Sequence, residues 1–402
     1  MTLTPARALL SGIRVLDIGT LLAGPGAATL LGDHGAEVIK IERPDIGDTK
    51  RSMGPFCESE SLLFAVEDRN KKSVTIDLRT SRGQALLREL AAVSDVVIEN
   101  FRPGTLNRWG LGIGALRDAN PRIILLSVSG FGQTGPNADR PGYDRIALAY
   151  SGLLHVTGYP DRPPVRFGTP IADYVTALTG AFAVMLALYG RDALGGRSQH
   201  IDLAMYEALF KFSDVLVTAY DKIGLRRERS GNHFFGAAPG DHFQTRSGRY
   251  LALAIASDPL FERLCGAMAR PDLIADPRFT SHALRFEHLE VINGAVADWI
   301  LSRSDAEIAS RLEEAEIPYS FTLTAEDILA DPHYLARQSI GVVDDPVLGQ
   351  LKLPNVVPRF SDSPMQAIAP APRLGQHTDE VLGSLLGLSD SELADLHSSR
   401  VI

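Results

Sequence analysis

Residues 13–18, reading IRVLDI, restrict what this chain can fold into more than any other stretch. This short β-rich run ends at Gly19. Ala23-Gly24-Pro25-Gly26 then opens a helical stretch reaching about His34, Gly35 stops it, and residues 38–41 begin a second strand. That is a βαβ unit, the repeating element of a parallel, doubly wound sheet. The alternation continues with a strand at 73–78, a helix at 82–92, strands at 96–98 and 122–128 (RIILLSV), and a strand at 199–203 after the turn Gly195-Gly196-Arg197, followed by a helix at 205–220. The expected fold is α/β, with a Rossmann-like doubly wound large domain whose post-strand loops form the ligand-binding edge.

At 402 residues the chain is too long for one compact core. Its character changes near Lys222: residues 225–232 (LRRERSGN) form a polar connector, residues 234–241 are rich in glycine and proline, and a β-run at 249–255 precedes helices at 259–269 and 288–302. We read 225–324 as a smaller α+β domain, and 1–224 with 325–402 as the large one. The latter's second part begins with a helix at 325–337 and closes with a helix from Asp379.

A formal net charge of −9 leaves no global basic field for nucleic acid or an anionic membrane, so an anionic ligand needs local cations. Two cysteines, Cys57 and Cys265, rule out a disulfide framework and suit a reducing cytoplasm. The first residues lack a secretory pattern, and the apolar run 178–188 is too short to span a bilayer. A soluble cytoplasmic protein without membrane partners is expected.

Residues 165–188 place one acid, Asp173, at the start of an otherwise apolar helix, with Thr169 as N-cap and Pro170 in the first helical position. The helix dipole favours the ionised carboxylate there, and apolar surroundings oppose it. An ionised, poorly hydrated carboxylate is a potential nucleophile. The plainer alternative is an acid that merely supports the helix N-terminus.

Cations gather after the strands. Lys40 and Arg43 flank the second, Lys71, Lys72 and Arg79 the third, and Asn100-Phe101-Arg102-Pro103-Gly104 with Arg108 follow the fourth. Together they predict a local basic mouth for phosphates, with Phe101 placed to stack on a base; scattered surface cations are the alternative. Tyr143 beside Asp144 is either a hydrogen-bonding pair at the site or ordinary turn chemistry after Pro141-Gly142. Gly24, Gly26 and Thr29, with Glu42 after the second strand, imperfectly match a dinucleotide fingerprint, so a nicotinamide-cofactor oxidoreductase is a rival function. No metal-binding histidine cluster, G-x-S-x-G elbow or Walker loop occurs, which leaves carboxylate chemistry in front.

Longer stretches carry a resemblance: LSGIRVLDIGTLLAGPGAATLLGDHGAEVIKIERP, RNKKSVTIDLRTSRGQALLRELAAVSDVVIENFRPGTLNRWGLG, RPGYDRIALAYSG, GTPIADYVTALTGAFAVMLALYGRDALGGRSQHIDLAMYEAL, DPRF and APRLGQHTDEVL. In this order they are similar to the class III CoA-transferases, the superfamily of formyl-CoA:oxalate transferase, carnitine CoA-transferase and the α-methylacyl-CoA racemases. The resemblance implies an interlocked homodimer, acyl-CoA as substrate, and no metal or nicotinamide cofactor. It implies that Asp173 is acylated, and that Ala23, Arg43, Ile76, Arg79, Asn100, Phe101, Arg102 and Arg108 lie at or next to positions that hold CoA. Backbone N–H groups near Asp173 and from the loop between Gly236 and Gly240 would stabilise oxyanions.

Departures from the family narrow the reaction. The racemases have a His-Asp pair where this chain has Tyr143-Asp144, and a phenol is a poor base near neutral pH, so racemisation of a 2-methylacyl-CoA ranks behind transfer. Formyl-CoA:oxalate transferases have glutamine at the position of Leu22 and a glycine run where this chain has Gly236-Ala-Ala-Pro-Gly240, so oxalate is not the expected acceptor. Arg166, with Arg140 and Arg145, suits the distal carboxylate of a short diacid. The expected reaction moves CoA from succinyl-CoA, or a similar donor, to a short dicarboxylate.

Overall fold

Val15 and Leu16 are adjacent, both wholly buried, and belong to two different cores. Successive side chains of a strand point to opposite faces, so a strand buried on both sides must lie inside a covered sheet. The computed structural model describes residues 8–234, 236–363 and 367–402. Residues 1–7, 235 and 364–366, over which the readings of the N-terminus, of the large domain and of the 234–241 stretch extend, lie outside the described residues.

Six parallel strands form the main sheet: β1 (Arg14–Asp17), β2 (Glu37–Glu42), β3 (Lys71–Thr75), β4 (Val96–Glu99), β5 (Ile124–Ser129) and β6 (His200–Ala204), in the order β3-β2-β1-β4-β5-β6. Strand order reverses between β1 and β4, so their following loops diverge and open a crevice at the strands' carboxyl ends. Five helices pack on the sheet: α1 (Ala23–Asp33), α2 (Ser81–Ala92), α3 (Asp144–Tyr150), α4 (Ile171–Asp192) and α5 (Met205–Phe210). On one face of the sheet, Val15, Val38, Ile98 and Leu126 pack with α1 and α4. On the other, Leu16, Ile39, Val74 and Val97 pack with Leu86, Leu87 and Leu90 of α2 and with Val381 and Leu382. Each such fully buried aliphatic side chain contributes roughly 1.5–3 kcal/mol relative to exposure.

Helices α1 and α4 lie against each other through small residues. A Cβ on Gly26 would stand 3.0 Å from the Cβ of Ala177, and one on Gly180 would stand 3.5 Å from Ala27 and 3.0 Å from Leu126. Gly26, one of the glycines that suggested a dinucleotide turn, therefore serves helix packing. Helix α4, with 22 residues and an 18-residue stretch of mean hydropathy 1.7, is longer than the apolar run that marked it and is long and apolar enough to cross a membrane. Here it is a core helix, burying Ala177, Ala181, Val184 and Leu188 against the sheet and α1.

The chain divides into two compact units, one of residues 1–154, 166–225 and 335–402 and the other of 155–165 and 226–334. The second has an antiparallel sheet of Gly240–Gln244, Tyr250–Ala254 and Tyr319–Phe321 and its own core around Phe243, Leu251, Phe261, Ile292 and Trp299. Two helices expected to be continuous are broken. The stretch from Met205 divides into α5 and Leu216–Ile223, with Asp214 at φ 53 between them. Ala325–Ala330 and Pro332–Ala336 separate at a proline, which cannot supply the N–H an unbroken helix needs.

Candidate active site

Two helices at the crevice lack side-chain caps of their own. The N-cap positions are Leu22 for α1 and Pro170 for α4, one residue later than the Thr169 cap expected, and neither makes a capping bond. Carboxylates from elsewhere in the chain supply the missing partners. The Ala23 backbone N–H at the start of α1 favours the ionised form of Asp173, with which it lines one cavity, and Asp144 Oδ1 accepts from the Ala172 N–H at 2.7 Å. Asp173 thus meets the positive ends of two helices, its own and α1, which favour its ionised form. Burial and the nearby Asp144 carboxylate outweigh them and push Asp173 up to about 7. A carboxylate poised there is ionised in a useful fraction near neutrality and more basic than a solvated aspartate.

A cavity of about 260 Å³ opens beside Asp173, lined also by Ala23, Asn100, Phe101, Arg102, Ser129, Arg140 and Tyr143. Its wall depends on Gly130 and Gly142, where a Cβ on either would come within 2.7 Å of the other's backbone. A second cavity of about 260 Å³ is lined by Arg43, Ile76, Arg79, Phe101 and Trp109, and the two share Thr20, Thr49 and Phe101. Phe101 meets Trp109 edge-on at 5.2 Å, and its N–H donates to Glu99 at 2.7 Å. Burial pushes Glu99 up to about 7, so this acid at the end of β4 holds the Phe101 loop from beneath. A groove along the carboxyl ends of β1, β2 and β4 therefore runs from an arginine-lined end to a carboxylate.

The structure brings together Ala23, Arg43, Ile76, Arg79, Asn100, Phe101 and Arg102 along this groove with Asp173 and Tyr143. Arg108 stands apart: exposed, it donates to Thr105 Oγ1 at 2.8 Å and lines neither cavity. Tyr143 faces the cavity, but Asp144 turns back to Ala172, so each serves separately rather than as a hydrogen-bonding pair. Arg166 is exposed ahead of α4 and Arg145 is exposed on α3, whereas Arg140 lines the cavity with Asp173. Gly236 and Gly240 belong to the second unit. The Gly240 N–H is already donated to Asn293 Oδ1 at 3.1 Å, which removes it as an oxyanion donor.

The basic mouth needs correction at three lysines. Lys40 and Lys71 are fully buried in ion pairs beneath the groove, and Lys72 pairs with Glu37 and Glu380 at 3.2 and 3.0 Å. Sequence alone showed charge but not the acids that neutralise it. Glu42, the supposed ribose acid, is likewise engaged: Arg51 grips it at 2.7 Å through both carboxylate oxygens, and Ser73 Oγ donates at 2.6 Å. Among the described residues, no three His, Cys, Asp or Glu side chains gather to hold a metal ion.

Residues 10–378 match the profile of CoA-transferase family III. The chain is 44% identical to the succinyl-CoA--L-malate CoA-transferase beta subunit of Chloroflexus aurantiacus, covering 98% of each chain. It is 42% identical to that organism's succinyl-CoA--D-citramalate CoA-transferase, again over 98% of each. Among solved structures, a CAIB/BAIF family protein from Brucella suis superposes with a TM-score of 0.84 at 32% identity, covering 94% of this chain and 99% of that one.

Proposed function

The chain belongs to CoA-transferase family III, and we propose that within it the protein moves coenzyme A from succinyl-CoA to a short dicarboxylic acid through covalent intermediates on Asp173. The observation that carries this reading is the Asp173 carboxylate, pushed up to about 7, beside the Ala23 backbone at the end of the groove. The two Chloroflexus relatives support the substrate class, since L-malate and D-citramalate are both short diacids.

In this scheme a carboxylate oxygen of Asp173 attacks the thioester carbonyl, the C–S bond breaks, and a mixed anhydride forms. The CoA thiolate then attacks the aspartyl carbonyl and expels succinate, leaving an aspartyl-CoA thioester. The incoming carboxylate displaces the thiolate to form a second anhydride. Attack of the thiolate on the new acyl carbonyl releases product and restores Asp173. Each step exchanges one activated acyl group for another, so the thioester's energy is retained. The Ala23 N–H is placed to stabilise the oxyanion in the steps at the aspartyl carbonyl.

The nucleotide end of CoA is assigned to the cavity of Arg43, Ile76, Arg79 and Phe101, and the pantetheine arm to the passage at Thr20, Thr49 and Phe101. Arg140 takes the distal carboxylate of the diacid, a role that Arg166 and Arg145 share less directly from outside the cavity lining. Residues 1–224 with 325–402 form the CoA-binding domain in this reading, and 225–324 the smaller one.

We also place the enzyme in the cytoplasm as a homodimer. Leu178, Phe182 and Tyr189 of α4 are 62–63% exposed in the single chain. A contiguous apolar stripe of this kind marks a surface that a second copy covers. Exchange assays test the substrate class: succinyl transfer to dicarboxylates but not to monocarboxylates of equal length is expected, and the converse preference would refute it.

A further inference from the structure

Beneath the groove lies a charge-balanced cluster that the chemistry above does not use. Asp17, Lys40, Lys50, Asp48, Asp68 and Lys71 have side chains at most 1% exposed. Lys40 Nζ reaches Asp48 at 2.8 Å, Lys71 Nζ reaches Asp17 at 2.8 Å and Asp68 at 3.0 Å, and Lys50 pairs with Asp68. Three positive and three negative groups cancel. Burying such a cluster is costly, and well-packed apolar residues often serve stability as well or better.

Most of the cluster's further bonds run to the backbone of residues 19–25. Asp17 Oδ1 accepts from the Gly19 N–H at 3.1 Å, and Lys40 Nζ donates to the Gly19 carbonyl at 3.2 Å. Asp48 Oδ1 accepts from the Leu21 N–H at 3.2 Å, and Lys71 Nζ donates to the Pro25 carbonyl at 2.8 Å. Asn100 holds Thr20 from the other side, accepting from its N–H at 2.8 Å and donating to its carbonyl at 2.7 Å. Leu21 is thereby kept at φ 62, a left-handed conformation that leucine adopts only when its surroundings impose it. The next turn presents the Ala23 N–H to Asp173.

We propose that the Lys40–Asp48 and Lys71–Asp17 pairs are positioning elements for the transfer reaction, fixing residues 19–25 so that the Ala23 N–H meets the oxyanion that develops at Asp173. The inference rests on the proposed chemistry at Asp173. It assigns the buried charges a task that stability alone does not require. Preorganised donors lose their value with small displacements, on the order of a hundredfold in rate for a misplacement of about 1 Å.

The test uses charge-balanced replacements that leave no lone buried ion: Lys40→Met with Asp48→Leu, and separately Lys71→Met with Asp17→Leu. Arg69→Met with Asp33→Leu is the control, because that pair, at 2.5 Å, binds the far end of α1. Folding is followed by thermal unfolding, and acylation by single-turnover mass spectrometry with succinyl-CoA across pH. A groove-side pair that folds should slow acylation at least about tenfold with the KM for succinyl-CoA changed less than about threefold. The pH midpoint of acylation should also rise, because the Ala23 N–H favours the ionised form of Asp173, while Asp144 and the Arg102, Arg140 and Tyr143 side chains that line its cavity are unchanged. The control should keep the wild-type rate and midpoint. If either groove-side pair folds and acylates at the wild-type rate and midpoint, or the control slows equally, the proposal is overturned. Failure of both groove-side pairs to fold beside a folded control would also overturn it, since the cluster would then be structural. Wild-type protein that gives no adduct at Asp173 would instead overturn the chemistry on which the inference rests.

Discussion

The backbone N–H of Ala23, the first residue of α1, sits beside the carboxylate of Asp173 in the first turn of α4 and favours its ionised form. The two helices reach this geometry because Gly26 lets α1 approach Ala177 of α4 closely. A packing choice in the sequence therefore sets the environment of the reacting group.

Burial and Asp144 hold Asp173 at about 7, and only the ionised form attacks a thioester. The kcat/KM for succinyl-CoA should therefore rise with pH and level off above about 7. Asp144→Asn removes the repelling charge yet can still accept from Ala172, so the acid limb should move to lower pH. Initial rates from about pH 5 to 9, spanning the bell-shaped range of general acid–base groups, check both. An unmoved limb in Asp144→Asn would show that the two carboxylates are not coupled.

The same shift has a consequence for stability. Asp173 releases its proton near its ordinary value of 3.8 when unfolded and near 7 when folded, so the native state binds the extra proton between those values. Stability contributed by protonated Asp173 is present below about pH 4 and lost as pH rises through 7. Asp173→Asn should accordingly be more stable than wild type at about pH 8, by roughly 2 kcal/mol after allowance for partial exposure, and show little difference at about pH 4. Thermal unfolding at the two pH values decides it.

Arg140 lines the cavity with Asp173 and stacks over Phe131 at 5.0 Å. Arg140→Met keeps the stacking volume and removes the charge. The KM for a dicarboxylate acceptor should rise about tenfold or more, with the affinity for CoA, measured as a competitor of succinyl-CoA, unchanged. A monocarboxylate acceptor should lose nothing.

Gly26→Val adds three carbons where even a lone Cβ would stand 3.0 Å from the Cβ of Ala177. Overpacking of this kind costs about 1–3 kcal/mol and separates the helices. The variant should fold with a lowered melting temperature and lose far more kcat than affinity for CoA. Wild-type kcat would mean that the α1–α4 distance does not govern the site.

The alternation of strands and helices was legible because β-branched runs and glycine stops carry it locally, as in residues 13–18 and Gly35. Asp173 stood out as the lone acid of the apolar run 165–188. The features that escaped were those made by distant partners. The cap on α4 comes from Asp144, 28 residues away, and Lys40 and Lys71, read as part of an anion-binding mouth, are neutralised by Asp17, Asp48 and Asp68. Arg140 outranks Arg166 at the cavity for the same reason, since proximity to Asp173 along the chain says little about proximity in space. Pro332 and the left-handed Asp214 break helices that periodicity alone would run through, although the proline was in plain view.

The central claim is covalent chemistry at one carboxylate. Wild-type protein mixed with succinyl-CoA, quenched with hydroxylamine and digested should carry a hydroxamate at Asp173, and Asp173→Ala should neither be modified nor exchange CoA. Transfer by Asp173→Ala at the wild-type rate, or modification at a different carboxylate in the wild-type protein, would contradict the account.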